Sequence, residues 1–106
     1  EDDVFKMLDN YKDDQENLVK AIYYLGLIAP QQFSPLYFNL FKDVLSHKDP
    51  IVRSAVITAI GYLGWQAFKD LLEPLQNSDP DLEVRKDASV MLSGFELYTP
   101  DTVIAS

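Results

Sequence analysis

The segment KDPIVRSAVITAIGYLG, residues 48–64, carries the complete pattern of one amphipathic helix. Asp49 and Pro50 form a helix-start signal, because aspartate caps free backbone N–H groups and proline suits the first helical position. Gly64 fits a C-terminal stop. Apolar residues recur at intervals of three and four and define one face: Val52, Val56, Ala59, Ile60 and Leu63. A helix with such a face must bury it against neighbouring elements.

Partial copies of this segment lie on both sides of it. Residues 45–50 align with residues 75–80 at an offset of 30, and the Val-Arg pair that follows recurs at an offset of 32. Residues 21–28 align more loosely with residues 56–63 at an offset of 35. A two-helix unit cannot bury its apolar face alone, whereas three units in contact can share a core. The repeats therefore predict an all-α stack of about three helical hairpins.

Turn and capping residues divide the chain into six predicted helices: residues 2–11, 14–29, 34–46, 51–64, 65–77 and 82–97. Pro30 ends the second helix, since the residue before a proline disfavours helical geometry. The start signal of Asp49 and Pro50 is repeated at residues 34–35 and 79–80. Pro74 is expected to kink or shorten the fifth helix.

We expect one domain over residues 1–106, with hairpins at about residues 2–29, 34–64 and 65–97 and a tail at residues 98–106. In the first hairpin, helical spacing predicts an inward face on the second helix. That face comprises Asn17, Ala21, Tyr24, Leu25 and Ile28, with Leu18 and Ile22 beside it.

The sequences DPIVR, residues 49–53, and AIGYLG, residues 59–64, resemble HEAT repeats, in the short bacterial form also seen in HEAT-like phycobilin lyase subunits. The resemblance is good over residues 34–97 and looser over residues 2–29. It implies a right-handed α-α superhelix, or solenoid, of about three hairpins.

The resemblance also implies a ladder of polar contacts, in which turn aspartates and second-helix arginines connect neighbouring repeats. The matching positions are Asp49, Arg53, Asp79 and Arg85. The first copy offers Asp14 and Lys20 at a looser spacing.

A tetratricopeptide array, with a period of about 34 residues, is the alternative fold. Residues 24–26 and Pro50 lie at tolerable spacing for it. The small residue expected between them is Phe38, however, and the repeated Asp-Pro turn has no role in such an array. The sequence favours the HEAT-like stack.

The formal net charge of -8 is concentrated at the two ends of the chain. Residues 1–16 hold seven acids and two lysines, residues 17–78 hold five bases and four acids, and residues 79–106 hold six acids and two bases. This distribution lacks the basic stripe that nucleic acids require. It would favour a basic partner, although the solubility of a small domain is the simpler explanation of the acidity.

Few residues offer catalytic or metal-binding chemistry. Cysteine is absent and His47 is the single histidine, which excludes a thiolate site and a site built on several histidines, and we interpret His47 as structural or solvated. The alternating acids of residues 79–83 resemble a calcium loop, but the places for its glycine and glutamate hold Val84 and Val90. We expect no cofactor, no metal and no enzymatic activity.

Charges interrupt every apolar run before it reaches the length of a membrane span. The absence of cysteine fits a reducing compartment, and we expect a cytoplasmic protein. The sequence leaves the oligomeric state open.

In HEAT-like stacks the second helices line the concave side, and we expect partner contacts there. The residues opposite the core face, with those aligned to them in the other copies, are Tyr23, Ser54, Ile57, Thr58, Lys86 and Val90. Tyr23 is the expected anchor, because aromatic residues are frequent among interface hot spots.

The sequence therefore predicts a non-enzymatic module that binds another protein through this concave face or through its acidic ends. The alternatives are a subunit of a HEAT-like bilin lyase or of another enzyme complex, and a fragment of a longer solenoid.

Overall fold

A computed structural model describes residues 2–97, with side chains from residue 6 onward, so the predicted tail at residues 98–106 lies outside the described part. Between residues 2 and 97 the chain forms helices and no strand, which confirms the all-α class. The helices are α1 (Asp2–Asn10), α2 (Gln15–Ile28), α3 (Pro35–Val44), α4 (Pro50–Leu63), α5 (Lys69–Ser78) and α6 (Leu82–Leu97), with a 3₁₀ turn (Gln66–Phe68) before α5.

Most helix ends follow the local signals in the sequence. Asp14, Ser34 and Asp49 each cap a helix by accepting a backbone N–H two or three residues further on. Ala29, which precedes a proline, is extended and ends α2. Gly64 ends α4 in the left-handed region, with φ of 66°, which glycine adopts without a steric cost.

The start of α6 differs from the predicted start signal. Asp81 caps this helix by accepting the Val84 N–H at 3.1 Å, and Pro80 lies before the cap. The Asp79 carboxylate is directed towards Arg53 instead. Two additional residues in this turn, relative to the turn before α4, allow one aspartate to cap the helix and the other to face the preceding hairpin.

The helices form two layers in a solenoid-like stack. The second helix of each hairpin packs on the next one, so that α4 lies between α2 and α6. The first helices, α1, α3 and α5, pack against α2, α4 and α6 respectively. The described chain measures 46 × 31 × 17 Å, which is an elongated and thin outline.

The central helix α4 contributes most to the core. Val52, Val56, Ala59 and Ile60 are completely buried, as the apolar face predicts. Leu63, predicted on the same face, is half-buried at the end of the helix.

The predicted inward face of α2 is partly wrong. Tyr24 and Ile28 are 52% and 41% exposed, whereas Leu18 and Ile22, which were placed at its margin, are buried. The cause is the position of α2 in the stack. Only one side of α2 meets another second helix within the described residues, so the opposite side remains exposed.

Five aromatic rings join the second hairpin to the third. Phe68 is central, with ring centroids of Phe38 at 5.2 Å, Trp65 at 5.4 Å and Phe41 at 5.9 Å. Phe33 extends the cluster and lies 5.4 Å from Trp65. Pairs at such separations add about 0.5–1.5 kcal/mol each beyond the burial of their surface. The cluster therefore fixes the third hairpin on the second.

The predicted fifth helix, residues 65–77, begins later than expected. Trp65 is extended and precedes the 3₁₀ turn, and its indole N–H donates to the backbone oxygen of Gln31 at 3.0 Å. Pro74 lies inside α5, which continues to Ser78 and is not shortened.

Candidate functional site

The second helices α2, α4 and α6 share one exposed side, which faces away from α1, α3 and α5. Large side chains recur on it at helical spacing: Leu27 follows Tyr23 by one turn, and Tyr62 follows Thr58 by one turn. Leu27 and Val90 each expose 73% of their surface. We define the second-helix face by its exposed residues, which are Tyr23, Leu27, Ile51, Thr58, Tyr62 and Val90.

Four of the six predicted contact residues are exposed: Tyr23, Thr58, Lys86 and Val90. Ser54 is half-buried. Ile57 is 1% exposed, so its assignment to a contact surface was wrong. It lies one turn before Gly61, where α4 packs closely against Met91 of α6, and this turn of α4 faces its neighbour.

Three residues of the face were missed: Leu27, Ile51 and Tyr62. Leu27 and Tyr62 follow predicted contact residues by four positions, and Ile51 precedes Thr58 by seven. Extending the predicted stripe by whole helical turns would have found all three. The predicted contact stripe was instead centred on Gly61 and the residues aligned with it. Gly61 lies where α4 packs against α6, so the predicted stripe runs too close to the contact between these helices.

Two glycines bring the second helices close together beneath this face. A Cβ atom on Gly26 would lie 3.1 Å from the Cβ of Ala59 and 3.0 Å from a ring carbon of Tyr62. A Cβ atom on Gly61 would lie 2.6 Å from the Cε of Met91. The Tyr62 ring therefore extends over α2.

A shallow cleft of about 400 Å³ lies between α2 and α4 next to Leu27 and Tyr62. A second cleft of about 270 Å³ lies between α4 and α6 at Gly61 and Met91. The first is at the small end of the range of about 300–1,000 Å³ for ligand sites, the second is below it, and both are open to solvent.

Exposed ion pairs border the face at both ends. Lys20 pairs with Glu16 on α2 at 3.3 Å, and Lys86 is 3.9 Å from Glu83 on α6. Pairs of this kind contribute at most about 1 kcal/mol and are weakened by salt.

Beside the face, a buried ion pair connects the turns of neighbouring hairpins. Arg53 donates from Nε and Nη2 to the two carboxylate oxygens of Asp79, each at 2.9 Å. Its Nη1 donates to the backbone oxygens of His47 at 2.9 Å and Lys48 at 3.1 Å. The guanidinium thus connects the turn before α4 to the turn before α6, and all three of its nitrogens donate hydrogen bonds.

The preceding pair of turns is joined without an arginine. Gln15 donates from Nε2 to a carboxylate oxygen of Asp49 at 2.7 Å. Lys20, the residue suggested for the first copy, pairs within its own helix and does not take part. Arg85 donates to the backbone oxygen of Asp79 at 2.6 Å.

His47 adds a second connection between these turns. Its Nδ1 accepts the Asp49 N–H at 3.0 Å, which places the proton on Nε2. Nε2 then donates to the backbone oxygen of Lys12 at 2.8 Å. His47 therefore has a structural role that fixes the first hairpin on the second.

Two turn carboxyls have lowered pKa values. Burial raises the pKa of Asp79, but the hydrogen bonds from Arg53 and from the Asp81 N–H lower it by more. The net change in the pKa is downward. The hydrogen bond from Gln15 is the main cause that lowers the pKa of Asp49, assisted by the Ile51 N–H. Both carboxylates are therefore more stable in their charged form when the chain is folded.

We expect the stability of the fold to decrease in acid for this reason. A carboxyl whose folded pKa is below its unfolded value, about 3.9 for aspartate, stabilises the fold above that value. This contribution is lost as the pH falls through the lower folded pKa. Urea unfolding at pH 7, about 4.5 and about 3.5 would measure the beginning of this loss.

The matched variant for this measurement is Asp79→Asn, which keeps the size of the side chain and removes its titration. Its free energy of unfolding should fall less between pH 7 and about 3.5 than that of the unaltered chain. An equal loss in both proteins would show that Asp79 does not contribute to acid sensitivity.

Within the described residues, no group of three or more histidine, cysteine, aspartate and glutamate side chains is arranged to hold a metal ion. None of the described helices combines the length and apolar character that crossing a membrane requires.

Comparison with known proteins identifies one family. The sequence profile described as HEAT repeats matches residues 1–93. A search of curated proteins found no match. A search of solved structures found none either. The family match favours the HEAT-like stack over the tetratricopeptide alternative.

Proposed function

This chain belongs to the HEAT repeat family, a type of helical repeat scaffold often used for protein interaction, and we propose that it binds a partner protein, without catalysis, through its second-helix face. The observation that supports this most directly is the row of exposed apolar and aromatic side chains across three adjacent helices. We also propose that the hairpins at about residues 2–29, 34–64 and 65–97 act as one domain.

The composition of the face supports a protein partner. Tyr23 and Tyr62 each combine a large apolar ring with a polar hydroxyl, a combination frequent at the centre of interfaces. Leu27 and Val90 provide aliphatic surface that remains in water unless a partner covers it. The clefts between the helices provide recesses for side chains of the partner.

Charge supports a basic partner. The net charge is -8, and the excess of acids lies in residues 1–16 and 79–106. A field of this sign accelerates the approach of a positively charged protein and is reduced by salt. We propose that the acidic ends assist association while the apolar face provides most of the affinity.

A matched pair of leucine substitutions tests the face. Leu27→Asp places a charge on the second-helix face, whereas Leu36→Asp makes the same change on α3, in the other layer. Both leucines are exposed, at 73% and 40%, so both variants should fold. Captured proteins from the native source would be quantified by mass spectrometry for both variants and for the unaltered chain.

We expect Leu27→Asp to reduce capture of the specific partner by about 30-fold or more, the effect of losing a hot spot. Leu36→Asp should leave it unchanged. Repeating the capture at about 0.05 M and about 0.5 M salt separates the contribution of the acidic ends, which only the low-salt condition retains. If both variants capture the same proteins in the same amounts, the second-helix face is not the binding surface.

A further inference from the structure

The second helices α2 and α4 run in the same direction, so their C-terminal ends lie side by side. Gln15 at the start of α2 donates to Asp49 at the start of α4, and Gly26 packs on Ala59 towards the other end. The cleft of about 400 Å³ lies where both helices end. Its lining residues are Gly26, Leu27, Ala29, Gln31, Tyr62 and Leu63. Two helix ends therefore border one cleft.

The last backbone oxygens of these two helices lack donors from the described part of the chain. The Ala29 N–H is the last to bond back into α2, at Leu25. The Gly64 N–H is the last to bond back into α4, at Ile60. Among the described residues, none donates a hydrogen bond to the carbonyl oxygens of residues 26–28 or 61–63. These oxygens are left for water or for donors of another molecule.

The two helix ends are negative, and no cation within residues 6–97 offsets their charge at the cleft. The aligned peptide dipoles place about half a negative charge at the C-terminal end of a helix. Neither α2 nor α4 has a basic residue in its last turn, and no lysine or arginine lines the cleft. The net charge of the chain, -8, has the same sign. The cleft is therefore complementary to a positively charged group.

The Tyr62 ring provides an aromatic wall for such a group. The ring extends over α2 next to Gly26, and 53% of the tyrosine is exposed. A cation within about 6 Å of the centre of an aromatic ring is attracted to its face. In the cleft between α4 and α6, the residue aligned with Tyr62 at an offset of 32 is Gly94. The tyrosine thus distinguishes the first cleft from the second.

From this chemistry we propose that the cleft between α2 and α4 binds an arginine side chain of the partner protein. The inference rests on the proposed function, because it names a side chain with which the partner engages the second-helix face. A guanidinium has five donors in one plane, enough for oxygens of both helix ends, and it stacks on aromatic rings. A lysine ammonium concentrates its charge and donors at one point. The exposed Leu27 covers the aliphatic part of the arginine.

Nuclear magnetic resonance titration of the complete chain with N-acetyl-arginine amide tests this without the partner. We expect a dissociation constant of about 1–10 mM, with the largest shifts at the backbone amides of residues 26–31 and 61–64. N-acetyl-citrulline amide has nearly the same shape and no charge, so it should bind at least about 10-fold more weakly. N-acetyl-lysine amide has the charge without the planar donors and should bind about 3-fold more weakly.

A matched pair of tyrosine substitutions tests the aromatic wall. Tyr62→Leu should weaken binding of the arginine probe by about 2–5-fold, the effect of losing one exposed contact between a cation and a ring. Tyr24→Leu is the control, because Tyr24 is equally exposed, at 52%, but does not line the cleft. It should leave the affinity unchanged. Far-ultraviolet circular dichroism checks that both variants are folded.

Substitutions of Ala29 test the charge of the helix ends. Ala29 caps α2 at the cleft, so Ala29→Lys supplies a cation from the chain itself. This variant should raise the midpoint of thermal unfolding by about 2–5 °C and reduce binding of the arginine probe by about 3-fold or more. Ala29→Glu should lower the midpoint. Shifts of the same sign in both variants would show that the helix ends do not favour a cation.

Equal affinity for the arginine probe and either of the other two probes would overturn the proposal. Shifts confined to the acidic segments, residues 1–16 and 79–106, would overturn it as well. If the arginine probe does not bind the cleft although Leu27→Asp reduces capture, the second-helix face is the binding surface and the arginine is wrong. The opposite pair of results would retain the cleft as an arginine site and overturn the proposed function.

Discussion

Replacing Asp79 by alanine should lower the free energy of unfolding by about 3–5 kcal/mol, because the Arg53 guanidinium is left charged and unpaired in the core. Arg53 is 8% exposed. Within the described residues, its Nε and Nη2 donate hydrogen bonds only to the Asp79 carboxylate. Domains of this size have a total stability of about 5–15 kcal/mol, so the loss is a large share of it. Urea unfolding followed by Trp65 fluorescence and circular dichroism measures the effect.

Asp49→Ala is the matched control. Asp49 is also a turn aspartate, but it is less buried than Asp79 and its partner is the neutral Gln15. Its removal should cost about 1 kcal/mol, the usual effect of losing a helix cap. Replacing both Arg53 and Asp79 by leucine should recover most of the loss, since no buried charge remains. Equal destabilisation by Asp79→Ala and Asp49→Ala would contradict the importance of the buried pair.

Phe68→Ala should lower the free energy of unfolding by about 3–5 kcal/mol, because it opens a cavity where three other aromatic rings meet. Phe68 is completely buried and its ring is stacked on Trp65 with an interplanar angle of 5°. The single tryptophan therefore reports on the site directly. Its emission in the folded variant should change along with the midpoint of urea unfolding.

Phe33→Ala is the control for this substitution. It removes a ring from the same cluster, but the ring is 50% exposed, and the loss should stay below about 1.5 kcal/mol. If the two variants are equally stable, the cluster does not fix the third hairpin on the second.

The helices could be predicted because their signals are local. Periodicity, capping residues and prolines act within a few positions, and Ser34, Asp49 and Gly64 all mark helix ends as expected. Asp81 replaces Asp79 as a cap because two extra residues change how the turn is folded, an effect that depends on the neighbouring hairpin.

The exposed face could be predicted only in part. Helical spacing identifies residues that share one face of a helix. It does not show whether that face is covered by a neighbouring helix or exposed to solvent. This explains the errors of burial: Tyr24 and Ile28 were placed inside and Ile57 outside. The contact between Gln15 and Asp49 joins residues 34 positions apart, and no sequence pattern indicated which donor would reach that turn.

The position of α4 between α2 and α6 has a consequence for the folding of the chain. The main contacts between helices join elements of one hairpin or of adjacent hairpins. Folding can therefore start at the central hairpin and extend to either neighbouring hairpin. Opening of a terminal hairpin removes one set of contacts, whereas opening of α4 removes two. Protection of backbone amides against hydrogen exchange should therefore be graded, with its maximum in the middle of the sequence.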